Sequence, residues 1–101
     1  MIQLNQIRED LKNIRYYFSR KALLDKAIQC SGKNELLKKI DKYNTAMQYA
    51  SPKLLDVYYS LYINNHTQES LADELGFTVD YIYRLNKELL KFLQKNLSEA
   101  A

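Results

Sequence analysis

Glycine and proline, the residues that interrupt helices most strongly, occur only three times in this sequence of 101 residues. They stand at Gly32, Pro52 and Gly76. Between them, apolar residues recur every three or four positions, which is the spacing of a helix with one buried face, and no segment alternates as a strand does. The sequence therefore predicts an all-α protein whose connections lie at these three residues.

The chain before Pro52 predicts two helices. An apolar stripe indicates one long helix over residues 3–29. Gly32 suits a left-handed helix C-cap, and Asn34 suits the N-cap of the next helix. Two amphipathic helices with so short a link predict an antiparallel helical hairpin over residues 1–50. Its unmatched end is a candidate contact for a homodimer or for a partner protein.

The chain after residue 50 predicts three further helices. Ser51 and Pro52 indicate a helix start, because serine caps helix N-termini and proline suits the first helical turn. Thr67 is the expected cap of the second helix, and Thr78 is the expected cap of the last one. We therefore expect a three-helix domain over residues 51–101.

Several classes of protein are excluded by what the sequence lacks. Cys30 is the one cysteine and His66 the one histidine, so neither an internal disulfide nor the ligand set of a zinc site is expected. No nucleophile and base set, carboxylate pair or phosphate-binding glycine loop is evident, so we expect no enzyme, no metal and no cofactor. No signal-peptide core and no stretch of about 20 apolar residues is seen, which predicts a cytoplasmic protein without membrane contact.

Residues 68–87 match the helix-turn-helix pattern position by position. Ala72 is the small residue where two helices cross, and Gly76 occupies the turn position that needs a positive φ. The apolar positions before, around and after the turn are filled by Leu71, Leu75, Phe77, Ile82 and Leu85. We expect Leu71, Ala72 and Leu75 to face the core.

The residues around this motif resemble two known groups of DNA-binding proteins. Residues 68–76, Gln-Glu-Ser-Leu-Ala-Asp-Glu-Leu-Gly, look like the first helix and turn of phage repressors. The wider stretch from Leu55 to Leu90 resembles region 4 of sigma factors. It is especially similar to the small regulators of phages and integrated elements in Gram-positive bacteria, the ArpU and RinA type. This resemblance implies control of phage or mobile-element transcription through double-stranded DNA, RNA polymerase or both.

The resemblance also implies which residues meet DNA, because the second helix of such a motif lies in the major groove. Base contacts are implied at the start of this helix, by Thr78, Val79, Asp80, Tyr83 and Arg84. Phosphate contacts are implied later on the same helix and at the start of the preceding one, by Lys87, Lys91, Thr67 and Gln68. Arg84 is the candidate for a bidentate contact to guanine.

The charge distribution keeps a second function open. Residues 1–52 hold ten Lys and Arg against five Asp and Glu, whereas residues 53–101 hold five against seven. Asp80 also places a carboxylate among the implied base contacts, and carboxylates mostly repel phosphates. Binding to DNA would then draw on the basic hairpin, on a homodimer or on RNA polymerase. The alternative function is a protein adaptor or inhibitor that acts on RNA polymerase or another large bacterial or phage-defence machine.

Overall fold

The structure is a computed structural model that describes residues 2–31 and 35–99, and it is helical with no strand in those ranges. The six α-helices in those ranges are α1 (Leu4–Ser19), α2 (Lys21–Ser31), α3 (Glu35–Met47), α4 (Pro52–Tyr58), α5 (Gln68–Leu75) and α6 (Val79–Glu99). A π-helical segment, Tyr59–Ile63, continues α4. The predicted all-α class is confirmed. The expected caps at Gly32 and Asn34 lie outside the described residues.

The prediction of one helix over residues 3–29 is wrong, because the chain breaks between α1 and α2. Arg20 has φ −133° and ψ 33°, outside the helical region. The break follows Ser19, whose hydroxyl donates to the carbonyl of Tyr16 at 2.7 Å and so competes with regular helical bonding. Across the break, the Tyr17 hydroxyl donates to Asp25 Oδ1 at 2.5 Å. This bond ties the start of α2 back to the end of α1.

The predicted helix starts in the second half are confirmed. The side-chain oxygens of Ser51 and Thr67 accept from the backbone N–H groups three residues ahead, at 3.3 and 3.0 Å. Thr78 does the same for α6 at 3.2 Å, and Pro52 is the first residue of α4. Each cap satisfies a backbone donor that the first turn of a helix leaves without a partner.

One hydrophobic core joins the two predicted segments, and α6 lies at its centre. This helix packs against α1, α3, α4 and α5. Ile7 and Ile14 of α1 share the core with Ile82, Leu89 and other apolar residues of α6, and these four side chains are fully buried. The division into residues 1–50 and 51–101 stays a prediction, while the core itself is continuous across it.

A buried carboxylate joins α1 to α3. Asp10 is 5% exposed and accepts hydrogen bonds from Tyr43 Oη at 2.6 Å and Gln6 Nε2 at 2.9 Å. Lys39 Nζ lies 3.1 Å from the same carboxylate. Burial acts to raise the pKa of Asp10, but these hydrogen bonds and the charge of Lys39 outweigh it and hold the pKa below its ordinary value. Asp10 is therefore ionised and paired, and it fixes the position of α1 against α3.

Candidate nucleic-acid interface

The connection between α5 and α6 is a short turn centred on Gly76. This residue has φ 74°, which is the left-handed conformation that glycine adopts without steric cost. The N–H of Gly76 donates to Asp73 O at 3.3 Å, and the N–H of Phe77 donates to Ala72 O at 2.9 Å. These two bonds form the Schellman arrangement that closes helix C-termini. Thr78 then caps α6, so the turn passes from one helix to the next in three residues.

The pattern's apolar positions divide into two sets in the structure. Leu71 and Ala72 of α5, and Ile82 of α6, are at most 2% exposed, as the pattern predicts. Leu75 is 47% exposed and Phe77 is 49% exposed. The prediction that Leu75 faces the core is therefore wrong. The reason is that α5 ends at Leu75, and no described helix covers this end of it.

Five of the implied DNA contacts share one exposed face of α6, and we call them the α6 stripe: Asp80, Tyr83, Arg84, Lys87 and Lys91. At about 3.6 residues per turn, these positions fall within roughly 100° of the helix circumference. All five are exposed, and the opposite face carries the buried side chains of Ile82, Leu85, Leu89 and Leu93. The α6 stripe is thus the face that a groove or a partner would meet.

The remaining implied contacts lie at the N-termini of the two helices. Thr67 and Thr78 are exposed, and Gln68 and Val79 are half-buried. The oxygens of both threonines already accept the capping bonds from Ser70 and Tyr81, so further contacts there depend on their hydroxyl protons.

The local charge of the α6 stripe is positive although the second half of the chain is acidic. Arg84, Lys87 and Lys91 carry three positive charges against the one carboxylate of Asp80. Among the described residues, no carboxylate lies within 4.0 Å of these three cations. Several acids of this half lie on α5 instead, and Glu88 borders the stripe on α6. Counting charge by half of the chain therefore understated the positive charge of this face.

Tyr83 links the stripe to α5. Its hydroxyl donates to Glu69 Oε1 at 3.3 Å. The negative charge of Glu69, together with desolvation, this hydrogen bond and the charge of Asp80, raises the pKa of Tyr83. The tyrosine is therefore neutral, and its ring is positioned at the junction of the two helices.

A cavity of about 240 Å³ opens beside this junction. It is lined by Arg15, Leu61, Tyr62, His66, Thr67, Gln68, Glu69 and Tyr83. The structure thus brings together three of the implied DNA contacts, Thr67, Gln68 and Tyr83, around one opening. The side-chain oxygen of Gln68 is buried there without a hydrogen-bond partner.

Arg15 of α1 holds the segment that leads into α5, and sequence reasoning missed this role. Its guanidinium donates to the carbonyl of Leu61, to the carbonyl of His66 at 2.8 Å and to the carbonyl of Asn65 at 3.2 Å. Carbonyls at the end of a helical segment lack hydrogen-bond donors within that segment, and here the guanidinium of Arg15 is the donor. Asn65 has φ 61°, a left-handed conformation that asparagine tolerates better than most residues. A signal was present, since Arg15 follows Leu11 by four positions and so borders the apolar stripe of α1.

Two other site types receive no support from the described residues. None of their helices has both the length and the apolar character needed to cross a bilayer. No group of three or more His, Cys, Asp and Glu among them is arranged to hold a metal ion.

No protein-family model, no curated protein and no solved structure matches the chain.

Proposed function

We propose that this protein is a sequence-specific DNA-binding regulator of transcription, of the phage or mobile-element kind that its sequence resembles. In this proposal α4 with its π-helical continuation, α5 and α6 form a helix-turn-helix domain over residues 51–101. Residues 78–91 enter the major groove. The helices over residues 1–50 form a hairpin that serves for dimerisation or for docking on RNA polymerase.

The observation that carries the proposal is the α6 stripe, which combines exposure, one-sided placement and unpaired positive charge. Its length also suits the role. From Asp80 to Lys91 the helix advances roughly 17 Å at about 1.5 Å per residue, which exceeds the width of about 12 Å of the major groove. When the start of α6 lies at the groove floor, Lys91 therefore lies near the flanking phosphates.

Different residues of the α6 stripe contribute to sequence specificity and to overall affinity for DNA. Arg84 presents a guanidinium one turn into α6, where a bidentate contact to guanine distinguishes one base pair from another by about 1–3 kcal/mol. Lys87 and Lys91 act on phosphates, which every sequence offers. Asp80 suits the amino group of cytosine and disfavours a phosphate at that position.

The test is selection of the protein's preferred duplex from a random library, followed by measurement of affinity over a range of salt concentrations. Arg84→Ala is expected to weaken the selected duplex by between about 5-fold and 150-fold while it leaves binding to random duplex nearly unchanged. Lys87→Ala and Lys91→Ala are each expected to weaken all duplexes and to reduce the salt slope by about 1.

Lys12→Ala is the matched control, because it removes the same charge from an exposed position on α1, where Lys12 forms an ion pair with Glu9 at 3.5 Å. It is expected to leave the salt slope unchanged. The proposal is wrong if no duplex binds at low salt, with or without RNA polymerase. It is also wrong if Lys12→Ala reduces the salt slope as much as Lys87→Ala does.

A further inference from the structure

An uncovered apolar surface lies at the turn between α5 and α6, and we call it the turn patch: Leu75, Phe77 and Tyr81 with the flanking cations Lys53 and Arg84. Leu75 and Phe77 are 47% and 49% exposed, whereas Leu71 and Ile82 of the same two helices are at most 2% exposed. Phe77 packs edge-on against Tyr81, with 4.8 Å between ring centroids. Phe77 is therefore held against Tyr81 while about half of its surface stays exposed.

Two cations lie at the edge of this surface. Lys53 Nζ is 5.7 Å from the centre of the Tyr81 ring, and the guanidinium carbon of Arg84 is 5.9 Å from it. The charge of Glu88 acts on Lys53, but among the described residues no carboxylate lies within 4.0 Å of either cation. Lys53 and Arg84 thus place two cations on the Tyr81 side of the turn patch, next to its apolar centre.

We infer that the turn patch is a docking surface for an acidic amphipathic helix of a partner protein. The apolar side chains of such a helix cover Leu75 and Phe77, and its carboxylates pair with Lys53 and Arg84. DNA fits this surface less well, because its phosphates would satisfy the cations but leave both apolar side chains uncovered. A second copy of the chain also fits less well, because a symmetric dimer through the turn patch brings four cations, Lys53 and Arg84 of each copy, into one interface.

The inference goes beyond DNA binding, although the two surfaces meet at Arg84. A carboxylate that pairs with Arg84 prevents that side chain from reaching a base. Occupation of the turn patch by a partner therefore weakens the preference for the selected duplex. Phe77 belongs to the turn patch and not to the α6 stripe, so variants of Phe77 separate the two functions.

The experiment measures binding of a labelled synthetic helix by fluorescence anisotropy to the full chain. The probe carries Leu along one face and Glu along its flanks, and a second probe has every Glu replaced by Lys. The acidic probe is expected to bind, and the basic probe is expected to bind at least about tenfold more weakly. Phe77→Ser, Leu75→Ser and Lys53→Glu are each expected to weaken the acidic probe by about tenfold or more.

Leu23→Ser is the matched control, because Leu23 is an exposed leucine on α2, at 68%, outside the turn patch. It is expected to leave probe binding unchanged. Circular dichroism of each variant establishes that it is folded. Phe77→Ser is expected to leave the salt slope of DNA binding unchanged, so failure of the docking surface is distinguishable from failure of the DNA proposal.

Three results would overturn the inference. The first is absence of binding by the acidic probe at millimolar concentration, or equal binding by both probes. The second is undiminished binding by folded Phe77→Ser and Leu75→Ser. The third is a dimer in sedimentation that Phe77→Ser dissociates, which would assign the turn patch to a second copy of the chain.

Discussion

Replacement of Arg15 by methionine is expected to destabilise the protein strongly, although the residue is only half-buried. Methionine keeps an apolar side chain of similar length and removes only the guanidinium. Three carbonyls, those of Leu61, Asn65 and His66, then lose their donor. A hydrogen bond to a charged group contributes about 1.5–3 kcal/mol, and water can replace part of this at a half-buried site. We therefore expect the free energy of unfolding to fall by about 2–4 kcal/mol in total.

Urea denaturation followed by circular dichroism measures this loss, with Arg8→Met as the matched control. Arg8 is an exposed arginine on the same helix, and its side chain donates to Asn5 Oδ1 at 3.2 Å. Its replacement is expected to change the free energy of unfolding by no more than about 0.5 kcal/mol. Arg15→Lys is expected to lie between the two, because an ammonium group lacks the planar arrangement of donors that a guanidinium has.

The Arg15 substitution also has a local signature. Because the three carbonyls precede α5 directly, Arg15→Met is expected to increase amide hydrogen exchange in residues 61–71 more than in α3. The reasoning is refuted if Arg15→Met and Arg8→Met are equally stable within about 0.5 kcal/mol. It is also refuted if exchange rises uniformly along the chain, since the guanidinium would then have no specific role in holding this segment.

Substitutions at three other positions test separate features of the fold. Asp10→Asn is expected to cost about 1–3 kcal/mol at pH 7. Because the pKa of Asp10 is lowered in the folded state, this difference in stability from the wild type should shrink as the pH falls below about 4. A difference in urea denaturation that stays constant with pH would contradict an ionised Asp10. Gly76→Ala is expected to lower the free energy of unfolding by about 1–2 kcal/mol, and the positive φ alone causes this loss because an added Cβ meets open space. Gly76→Asn is expected to lower it less, since asparagine tolerates the left-handed conformation better. Equal losses for the two variants would argue against a left-handed turn. Leu89→Ala, at a fully buried position of α6, should cost about 3 kcal/mol in thermal unfolding, and a loss below about 1 kcal/mol would mean that α6 is not the central helix.

The helix starts at Ser51, Thr67 and Thr78 could be predicted from the sequence, and so could the left-handed turn at Gly76. Each depends on atoms within a few residues of one another, so the local sequence carries the necessary information. The break at Arg20 was missed because the apolar spacing continues through it, and spacing reports only which face a helix buries. The π-helical segment Tyr59–Ile63 was missed for the same reason.

The composition of the candidate interface could be predicted, but its surroundings could not. The spacing of Arg84, Lys87 and Lys91 indicates a shared face, because helical geometry places residues three or four apart on the same side. Whether Leu75 and Phe77 are covered depends on where the other helices end, and spacing does not report this. The charge balance of the second half was a poor guide, because it also counts acids such as Asp73 and Glu74, which lie on α5 and not on the α6 stripe.

Local sequence alone predicts the all-α class, the three connections marked by glycine and proline, and the buried face of α6. These follow from backbone preferences and from the helical repeat, which act over a few residues. Three features depend on long-range packing: one core joins both segments around α6, Arg15 holds the segment before α5 from 46 to 51 residues away, and Leu75 and Phe77 stay exposed. Such contacts join residues far apart in the chain, and their existence depends on how whole helices pack.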